Sequence, residues 1–327
     1  MSSLMERAIE EEESSPPRCA ELLRKFEEKE ALPMGKKLRF SGVGENDVYN
    51  ISSPFLIGGT PVIIGRVEMR EARADSQVMF FEEKDGVWIP AHGSPTLPLE
   101  DGFATQIGNE TIIGGVEVYP NVTVIDSREP SYRTVFYRGR DFSSLEKFAA
   151  GPDMMKDIRL ASLANGRIGV STRPQGGSNG RGKIGYVELR RLEDMTNIQN
   201  FLDARIIEDQ FVPEEWGGAN GLHPLQDGTI GIIGHIARQD EQGAKSYYAM
   251  SFEYDPETHR ASPIEIIATR KNFPAGDAKT PELADIFFLG DLVPHGDGTG
   301  TLYGGLSDAE AGSIEVPDPF YGKRLKR

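Results

Sequence analysis

The sequence predicts an all-β protein built from a repeated unit of paired strands, and two observations support this prediction. The chain repeats one order five times: a polar residue, an apolar run, a tight turn of Gly, Asn or Asp, and a second apolar run. From Leu38 onward, short runs rich in Val, Ile, Phe and Tyr are bounded by Gly, Asp, Asn and Pro, which is typical of strands. The copies recur at roughly 54 to 65 residues, beginning near Asp47, Asp101, Asp157, Gly221 and Asp285.

A unit of two hairpins cannot bury its own faces, whereas five such sheets arranged radially can. We therefore predict a five-bladed β-propeller over residues 38–327, preceded by an acidic tail and a short N-terminal helix over residues 1–37. Four dipeptides predict hairpin turns within the blades: Asp85-Gly86, Asn165-Gly166, Asp227-Gly228 and Asp297-Gly298.

Outside the repeats, two segments have helical spacing. Apolar residues at helical spacing predict a helix from Cys19 to Glu30, which Pro33 ends, after a polar tail over residues 1–16 that we expect to be disordered. The segment from Arg191 to Arg205 also has helical period, and we expect it to lie outside the ring between blades three and four.

Composition narrows the classes of partner. The net charge is -15, from 51 acidic and 36 basic residues, so nucleic acid and anionic membrane are poor partners. No apolar run reaches the length of a membrane span. The single cysteine, Cys19, excludes an intrachain disulfide, and no signal peptide is visible, so we expect a cytoplasmic location.

Two further features of the sequence do not meet the patterns of a zinc site and of a nucleotide-binding phosphate loop. The five histidines lack the spacing of zinc ligands, so we predict no metal and no cofactor. Gly177–Lys183 has the spacing of a phosphate loop, but Ile184 stands where Ser or Thr is required and a strand is expected where a helix is needed. This segment could still be a mobile basic lid that touches a diphosphate.

In a propeller, the ligand usually lies on the axis, where matched positions of all blades converge. The matched positions of this chain carry carboxylates and cations, a combination that suits a sugar with a phosphate. Some of these residues could instead form salt bridges between blades. The matched residues are Asp47, Asn50, Glu100, Asp101, Lys156, Asp157, Arg159, Asn220 and Asp285 at the starts, and Arg66, Glu68, Glu117, Arg173, His235 and Asp308 at the ends.

These motifs resemble a known family. The first blade of the β-mannoside phosphorylases resembles four segments of this chain: Val48–Leu56, Gly65–Glu68, Ser76–Phe81 and Asp85–Trp88. Glu100-Asp101 stands in the place of the catalytic Glu-Asp-Pro-Arg motif of that family. The resemblance continues in order over roughly residues 38 to 316, through Lys156–Leu160, Thr172–Pro174, Trp216–Gly221, Gly234-His235, Asp285–Phe288 and Leu302–Asp308.

One departure refines the resemblance. Gly102-Phe103 replaces the Pro-Arg of the motif. This change resembles the sister family of dual-activity mannosyltransferase–phosphorylases, which cycle the β-1,2-mannan reserve mannogen in certain parasitic protozoa. The resemblance implies elongation of mannan from GDP-mannose and phosphorolysis to mannose-1-phosphate. The implied partners are a mannose oligosaccharide, inorganic phosphate or mannose-1-phosphate, and GDP-mannose.

The resemblance also implies roles for residues. Asp101 would be the general acid of a single-acid inverting mechanism, because in phosphorolysis phosphate is itself the nucleophile. The expected phosphate ligands are Arg66, Lys156, Arg173 and His235. The expected sugar ligands are Tyr49, Asn50, Glu68, Glu117, Asp157, Trp216 and Asp285. For Trp216, packing between blades is the competing explanation.

Two other functions stay open from the residues. An inverting glycoside hydrolase needs a second carboxylate to activate water, and Asp285 or Glu117 could supply it. A sugar-binding propeller without catalysis would use the same residues without turnover. The sugar and its linkage follow from the resemblance alone.

Overall fold

The computed structural model describes residues 16–70, 76–120 and 130–325, and in these residues strands dominate. Helix α1 (Cys19–Glu27) is followed by 22 strands, which fall into five successive units. None of the helices in these ranges is long and apolar enough to cross a membrane. The all-β prediction is therefore confirmed.

Each unit is a mainly antiparallel sheet of strands that are consecutive in the chain. Unit one comprises β2 (Asp47–Tyr49), β3 (Phe55–Ile57), β4 (Thr60–Glu68), β5 (Gln77–Lys84) and β6 (Val87–Pro90). Unit two comprises β7 (Glu100–Ile107), β8 (Glu110–Tyr119), β9 (Ser131–Gly139) and β10 (Glu146–Ala150). Unit three comprises β11 (Arg159–Ser162), β12 (Ile168–Thr172), β13 (Gly185–Leu189) and β14 (Arg205–Ile206).

The last two units share one continuous sheet. Unit four comprises β15 (Trp216–Pro224), β16 (Ile230–Gln239), β17 (Lys245–Asp255), β18 (Arg260–Ala261) and β19 (Glu265–Ala268). Unit five comprises β20 (Asp285–Pro294), β21 (Thr299–Leu306) and β22 (Glu310–Pro317), and β1 (Lys36–Lys37) adds its fourth strand. A short parallel pairing of β17 with β20 joins the two units.

All four predicted hairpin turns are confirmed, because each dipeptide lies between two paired strands. Asp85 and Gly86 connect β5 to β6 with φ of 51° and 75°. Two successive residues at positive φ make the turn whose twist matches that of the flanking strands.

The apolar core lies between the units rather than inside them. Five clusters of buried apolar side chains are found among the described residues, and each draws on two units that are neighbours in order. One cluster joins unit one to unit five through Val48, Phe81 and Ala311. This agrees with the reasoning that a single unit cannot bury its own faces.

Strands of successive units also contact one another. Contacts run from β4 to β7, from β7 to β11, from β11 to β15 and from β15 to β20, while β2 contacts β21 and β22. The sides of these sheets that meet are therefore the sides where the repeat-matched residues stand.

The predicted N-terminal helix is confirmed over Cys19–Glu27, so it ends before Glu30. The side chain of Arg18 does not cap it. Instead, the carboxylate of Glu215, the residue before β15, accepts from the backbone N–H of Cys19 at 3.0 and 2.9 Å. The predicted disorder of the tail concerns residues that lie almost wholly outside the described ranges.

The second helical prediction is confirmed only in two short pieces, and the predicted place of the segment between units is wrong. The segment forms a 3-10 helix (Leu192–Thr196) and the single-turn helix α2 (Gln199–Leu202), because Asn197 between them is extended. Both lie between β13 and β14, inside unit three rather than between units. Further 3-10 turns are Phe142–Ser144, Gly177–Asn179, Arg270–Asn272 and Pro281–Leu283.

Candidate active site

Each unit has a backbone irregularity near its start, which is either a positive φ or a shift in strand pairing. Asn50, Asp101 and Asp157 have φ of 44°, 48° and 57°, in the left-handed region that Asn and Asp tolerate better than other side chains. In units four and five, the pairing of the first strand shifts at Asn220 and at Gly290. Such irregularities re-aim a side chain out of the strand's alternation and are common beside active sites.

The fifth position carries no side chain for a steric reason. A Cβ on Gly290 would lie 2.1 Å from the backbone oxygen of Ile51 in unit one. The sequence repeat placed Asp285 at this position, but Asp285 lies at the beginning of β20, five residues earlier. Four polar side chains, rather than five, therefore occupy the recurring position.

Arg66 of β4 is the centre of the first group of polar side chains. Its Nη2 lies 2.9 Å from Glu68 Oε2 and 3.1 Å from Glu100 Oε1, and its Nη1 lies 3.2 Å from Asp101 Oδ1. Asn50 Nδ2 donates to the same Asp101 oxygen at 2.9 Å. We call these residues, with Tyr49 and Lys279, the Arg66 cluster.

Glu68 is a buried carboxylate that contacts several members of this cluster. It is 2% exposed, and its Oε1 accepts from the hydroxyl of Tyr49 at 2.6 Å. Lys279 Nζ contacts the same carboxylate oxygen and lies 3.1 Å from the Tyr49 hydroxyl. Glu68 and Tyr49 therefore hold Arg66 in place through contacts that they already make within the protein.

The carboxyls around Arg66 differ in proton affinity. Burial alone would raise the pKa of Asp101, but the charges of Arg66 and Lys156 and the hydrogen bond from Asn50 hold it below its usual value. Burial raises the pKa of Glu100, and burial together with the charge of Asp101 raises the pKa of Asp308. Interacting carboxyls of this kind share their protons as a set.

Asp157 is the centre of a second group, buried in unit three. Its Oδ2 lies 3.0 Å from Arg173 Nη1, and its Oδ1 lies 3.9 Å from Arg159 Nη2. Burial would raise the pKa of Asp157, but Arg173 and Lys156 lower it to about 2. We call this group, with Asn220 and His235, the Asp157 cluster.

His235 is neutral at physiological pH. It is 1% exposed, and burial lowers its pKa to about 3, although the charge of Asp157 acts in the opposite direction. Its Nδ1 lies 2.8 Å from Asn220 Oδ1, an acceptor, so Nδ1 carries the proton and Nε2 is left as an acceptor. The ring stacks on Tyr247 with the centroids 5.4 Å apart.

Lys156 connects the two clusters. Burial disfavours its ammonium form, but the charges of Asp157 and Asp101 raise its pKa, so it stays charged. No acidic side chain of the described ranges lies within 4 Å of its amino group. It lines a cavity of about 410 Å³, which we call the central cavity, with Glu100, Arg173, Arg181, Trp216 and Tyr247.

The structure brings most of the predicted site residues together, but not all. The residues in the two clusters or the central cavity are Tyr49, Asn50, Arg66, Glu68, Asp101, Lys156, Asp157, Arg173, Trp216 and His235. Glu117 instead pairs with Arg133 at 2.9 Å, and Asp285 accepts from the Tyr248 hydroxyl at 2.8 Å. The sugar-binding roles given to these residues stay predictions.

Other residues of the site escaped the sequence reasoning. Lys279 lies in the segment between β19 and β20, outside the repeat, so no repeat signal points to it. Tyr247 lies in the third strand of its unit, away from the positions that the repeat aligns. Asn220 was recognised as a matched position but received no role. Among the described residues, no group of three or more His, Cys, Asp or Glu could hold a metal ion.

Comparison with known proteins identifies relatives along nearly the whole chain. A family model described as "Protein of unknown function (DUF1861)" matches residues 24–322. The structure of MPT-4, a mannose phosphorylase from Leishmania mexicana in complex with phosphate ion, is 34% identical with a TM-score of 0.84. The match covers 94% of this chain and 96% of that one. No curated protein matches.

Two further solved structures are similar to this chain. MPT-1, a GDP-Man-dependent mannosyltransferase from Leishmania mexicana, is 32% identical with a TM-score of 0.83, covering 94% of this chain and 97% of that one. A structure from the GH130 family of mannoside phosphorylases, which contains glycoside hydrolases that target β-1,2 mannosidic linkages in Candida mannan, is 13% identical with a TM-score of 0.57. It covers 88% of this chain and 97% of that chain, and the likeness concerns the fold alone.

The family resemblance deduced from Glu100-Asp101 and the blade motifs is therefore confirmed. With matches of 34% and 32% identity that each cover 94% of its length, the chain belongs to the DUF1861 family and to the group of mannosyltransferases and mannose phosphorylases represented by the two Leishmania proteins.

Proposed function

We propose that this protein is an inverting mannosyl-transferring enzyme. It phosphorolyses β-1,2-mannan oligosaccharides to mannose-1-phosphate and elongates them from GDP-mannose. The observation that carries the proposal is Lys156, a half-buried cation without an acidic partner in the described ranges, which lines the central cavity and lies near both Asp101 and Asp157. The relatives support it, because one is a mannose phosphorylase and another is a GDP-Man-dependent mannosyltransferase.

The reaction needs one acid on the protein. An oxygen of phosphate attacks the anomeric carbon, the bond from that carbon to the leaving oxygen breaks, and Asp101 gives its proton to that oxygen. The proton that phosphate loses on esterification balances the proton that Asp101 supplied. Inversion at a β-linkage gives α-mannose-1-phosphate.

Phosphate binding would prepare Asp101 for this role. The pKa of Asp101 is held low partly by Arg66 and Lys156. A phosphate bound to these two cations would neutralise them and add negative charge beside the carboxyl, which raises its pKa. Asp101 would then hold a proton when the nucleophile is present, and the same cations would stabilise the transition state.

The remaining polar groups suit sugar hydroxyls. Asn50, Asp157 and Asn220 stand at the recurring position, and Nε2 of His235 can accept from a hydroxyl. A neutral His235 would bind phosphate only as an acceptor from a protonated phosphate oxygen, so we favour a sugar contact.

For the other predicted ligands we favour roles in orienting neighbouring side chains or in stabilising the fold. The contacts of Tyr49 and Glu68 favour a role in orienting Arg66. The ion pair of Glu117 and the hydrogen bond of Asp285 favour structural roles. This weakens the hydrolase alternative, because these two carboxylates were its candidates for activating water.

We also propose that the five units, with β1 as a strand of the fifth, close into a five-bladed propeller. The contacts of β2 with β21 and β22, and the apolar cluster that units one and five share, support closure between the ends of the chain. A closed ring would gather the matched positions of all units at one mouth, around the central cavity.

The first experiment is a product assay on a β-1,2-mannooligosaccharide with and without inorganic phosphate. Phosphate-dependent release of α-mannose-1-phosphate is the expected result, followed by chain elongation from GDP-mannose. Free mannose released without phosphate would show a hydrolase instead. Binding of the oligosaccharide without any product would show a sugar-binding protein.

A further inference from the structure

We propose that the aromatic side of the central cavity is the subsite for the nucleoside part of the sugar-nucleotide donor, with Trp216 as the surface on which the base stacks. This inference rests on the proposed function, and it adds the place and the side chains by which the protein would distinguish a sugar nucleotide from a simple sugar phosphate.

The size and lining of the cavity fit such a ligand. Its volume of about 410 Å³ lies within the range of small-molecule sites. Three aromatic side chains, Tyr132, Trp216 and Tyr247, contribute to its wall. Glu100 and Lys156, which belong to the catalytic region, line the same cavity, so a ligand can reach from one region to the other.

The charge of the cavity suits a diphosphate between the two regions. Arg173 is paired with Asp157 at 3.0 Å. Neither Lys156 nor Arg181 has an acidic side chain within 4 Å in the ranges that the structure describes. The net charge of the protein is -15, and yet these two cations have no acidic partner in the described ranges. A negatively charged group such as a diphosphate would therefore bind beside them.

Arg181 covers the face of Trp216. Its guanidinium carbon lies 3.6 Å from the centre of the Trp216 ring, and Trp216 is only 2% exposed. Arg181 itself is exposed and hydrogen-bonds Gln239 at 2.7 Å. A planar base can replace a guanidinium on an indole face, since aromatic stacking accepts either, and the released guanidinium can then bind phosphate.

The segment that carries Arg181 adopts a backbone conformation that depends on glycine. Gly176, Gly177 and Gly180 have φ of 81°, 53° and 55°, which only glycine adopts readily. The backbone oxygen of Arg181 accepts from Arg173 Nη2 at 3.2 Å, so the segment is connected to the Asp157 cluster. The possible basic lid over Gly177–Lys183 includes Arg181.

A nearby amide supplies a possible contact with a base. Gln175 lines the cavity, and its Oε1 accepts from the Tyr132 hydroxyl at 3.1 Å. Its buried Nε2 has no hydrogen-bond partner in the residues described. Buried donors are normally satisfied, and an acceptor on a bound base would satisfy this one.

The test uses tryptophan fluorescence, because the chain has two tryptophans and Trp88→Phe leaves Trp216 alone. The probe is GDP, with excitation at the red edge of the indole band so that guanine absorbs little. We expect a saturable change in Trp216 emission with GDP and none with a mannooligosaccharide. Calorimetric titration of the unaltered chain with GDP provides the same binding constant if Trp88→Phe folds poorly.

Arg181→Ala should weaken GDP binding roughly tenfold, since a charged contact with the diphosphate is lost. It should also lower the rate of transfer from GDP-mannose relative to the rate of phosphorolysis. The matched control is Arg190→Ala, an exposed arginine that does not line the cavity, and it should leave both unchanged.

Failure of this inference and failure of the proposed function give different results. Phosphorolysis without any fluorescence change or heat from GDP would overturn the subsite and leave the proposed function standing. A fluorescence change with the oligosaccharide instead would assign Trp216 to a sugar. GDP binding that Arg181→Ala leaves unaltered would equally overturn the inference.

Discussion

At the residue scale, the chemistry depends on which carboxyl near Arg66 holds a proton. Asp101 forms an ion pair with Arg66 and accepts from Asn50, and its pKa lies below its usual value. Burial raises the pKa of Asp308, and the charge of Asp101 raises it further. A general acid works best when its pKa is near the operating pH, so the role that we propose for Asp101 requires bound phosphate to shift its pKa upward.

Replacing Asp101 by Asn tests its role as the acid. Asn keeps the size and can still contact Asn50 and Arg66, but it has no acidic proton. We expect kcat for phosphorolysis to fall by roughly 10²- to 10⁴-fold, with oligosaccharide binding retained. Turnover is measured by mannose-1-phosphate release and binding by calorimetry.

The control for this change is Asp203→Asn, an exposed aspartate whose partner is Gln199 in α2. It should have no effect on kcat. Full activity of Asp101→Asn would show that another carboxyl is the acid, and Asp308 would become the first candidate.

Lys156→Gln tests the phosphate site. The change removes a cation without an acidic partner in the described ranges, so we expect the KM for phosphate to rise roughly 10- to 100-fold. Lys84→Gln, on an exposed side chain that pairs with Glu82, serves as the control. An unchanged phosphate KM would remove Lys156 from the site and with it the observation that carries the proposed function.

The low pKa of His235 predicts how the stability of the fold depends on pH. Its pKa in the folded protein is about 3, below the ordinary value of 6.5, so between these values the unfolded chain binds more protons. Stability is therefore fully present above about pH 6.5 and is lost as the pH falls toward 3, by an amount on the order of several kcal/mol.

Chemical denaturation at pH 7 and at pH 4.5 measures this dependence. His235→Gln should flatten it, whereas the control His92→Gln, on an exposed histidine, should not. Equal slopes in the unaltered chain and in His235→Gln would contradict the assignment of His235 as a buried neutral group.

At the element scale, the beginning of each unit decides what reaches the cavity. Shifts of register at Asn220 and Gly290, and positive φ at Asn50, Asp101 and Asp157, set the direction of the side chains. Apolar runs and turn dipeptides locate strands in a sequence, but a shift of one residue within a strand depends on its partner strand. Gly290 carries no polar side chain that could mark the position in the sequence, so the repeat pointed to Asp285, five residues earlier.

Gly290→Ala tests the close approach of units five and one. Its added Cβ would lie 2.1 Å from the Ile51 backbone oxygen, which cannot move without the strand. We expect a loss of unfolding free energy on the order of 3 kcal/mol, because overpacking forces backbone shifts. The control Gly44→Ala meets no atom within 4 Å and should cost about 1 kcal/mol for its positive φ.

Both losses are measured by denaturant unfolding. An equal or smaller loss at Gly290 than at Gly44 would show that the two units are not held as closely as the structure has them. Loss of mannosyl transfer in Gly290→Ala is also expected, because Asn50 immediately precedes Ile51.

The N-terminal boundary is a second question at this scale. Lys36 and Lys37 form β1, which pairs with Ser313 and Gly312 of β22, and Lys37 Nζ lies 2.8 Å from Glu310. The predicted boundary after residue 37 therefore separates a strand from its sheet. A chain of residues 38–327 should have a Tm at least about 4 °C below that of residues 30–327.

Scanning calorimetry of the two chains measures this difference, and both should keep the all-β circular dichroism spectrum. The same Tm for both would mean that β1 contributes nothing to the fifth sheet and that residue 38 is an adequate start for the domain.

At the scale of the whole molecule, stability and function share the same surfaces. The apolar clusters lie between units, and the polar clusters also combine residues of different units: Asn50 and Arg66 from unit one meet Asp101 from unit two. Any change that moves one unit against its neighbour therefore alters the core and the site together.

Local patterns of the sequence predict much of the fold and several positions of the site. The all-β class, helix α1, the four hairpin turns and the matched positions Asn50, Asp101 and Asp157 follow from local patterns, because side-chain periodicity and turn residues act over a few neighbours. The family motifs around Glu100-Asp101 also pointed to the relatives that the comparisons identified.

The tertiary structure alone decided which of the matched residues meet and in what charge state. Lys279 reaches Glu68 from outside the repeat, Gly290 interrupts the matched series, and Arg181 lies on Trp216. The low pKa of Asp101 likewise arises from residues 35 and 55 positions away, Arg66 and Lys156. Burial and charge act through space, so residues far apart in the chain determine them, and no local pattern of the sequence records those distances.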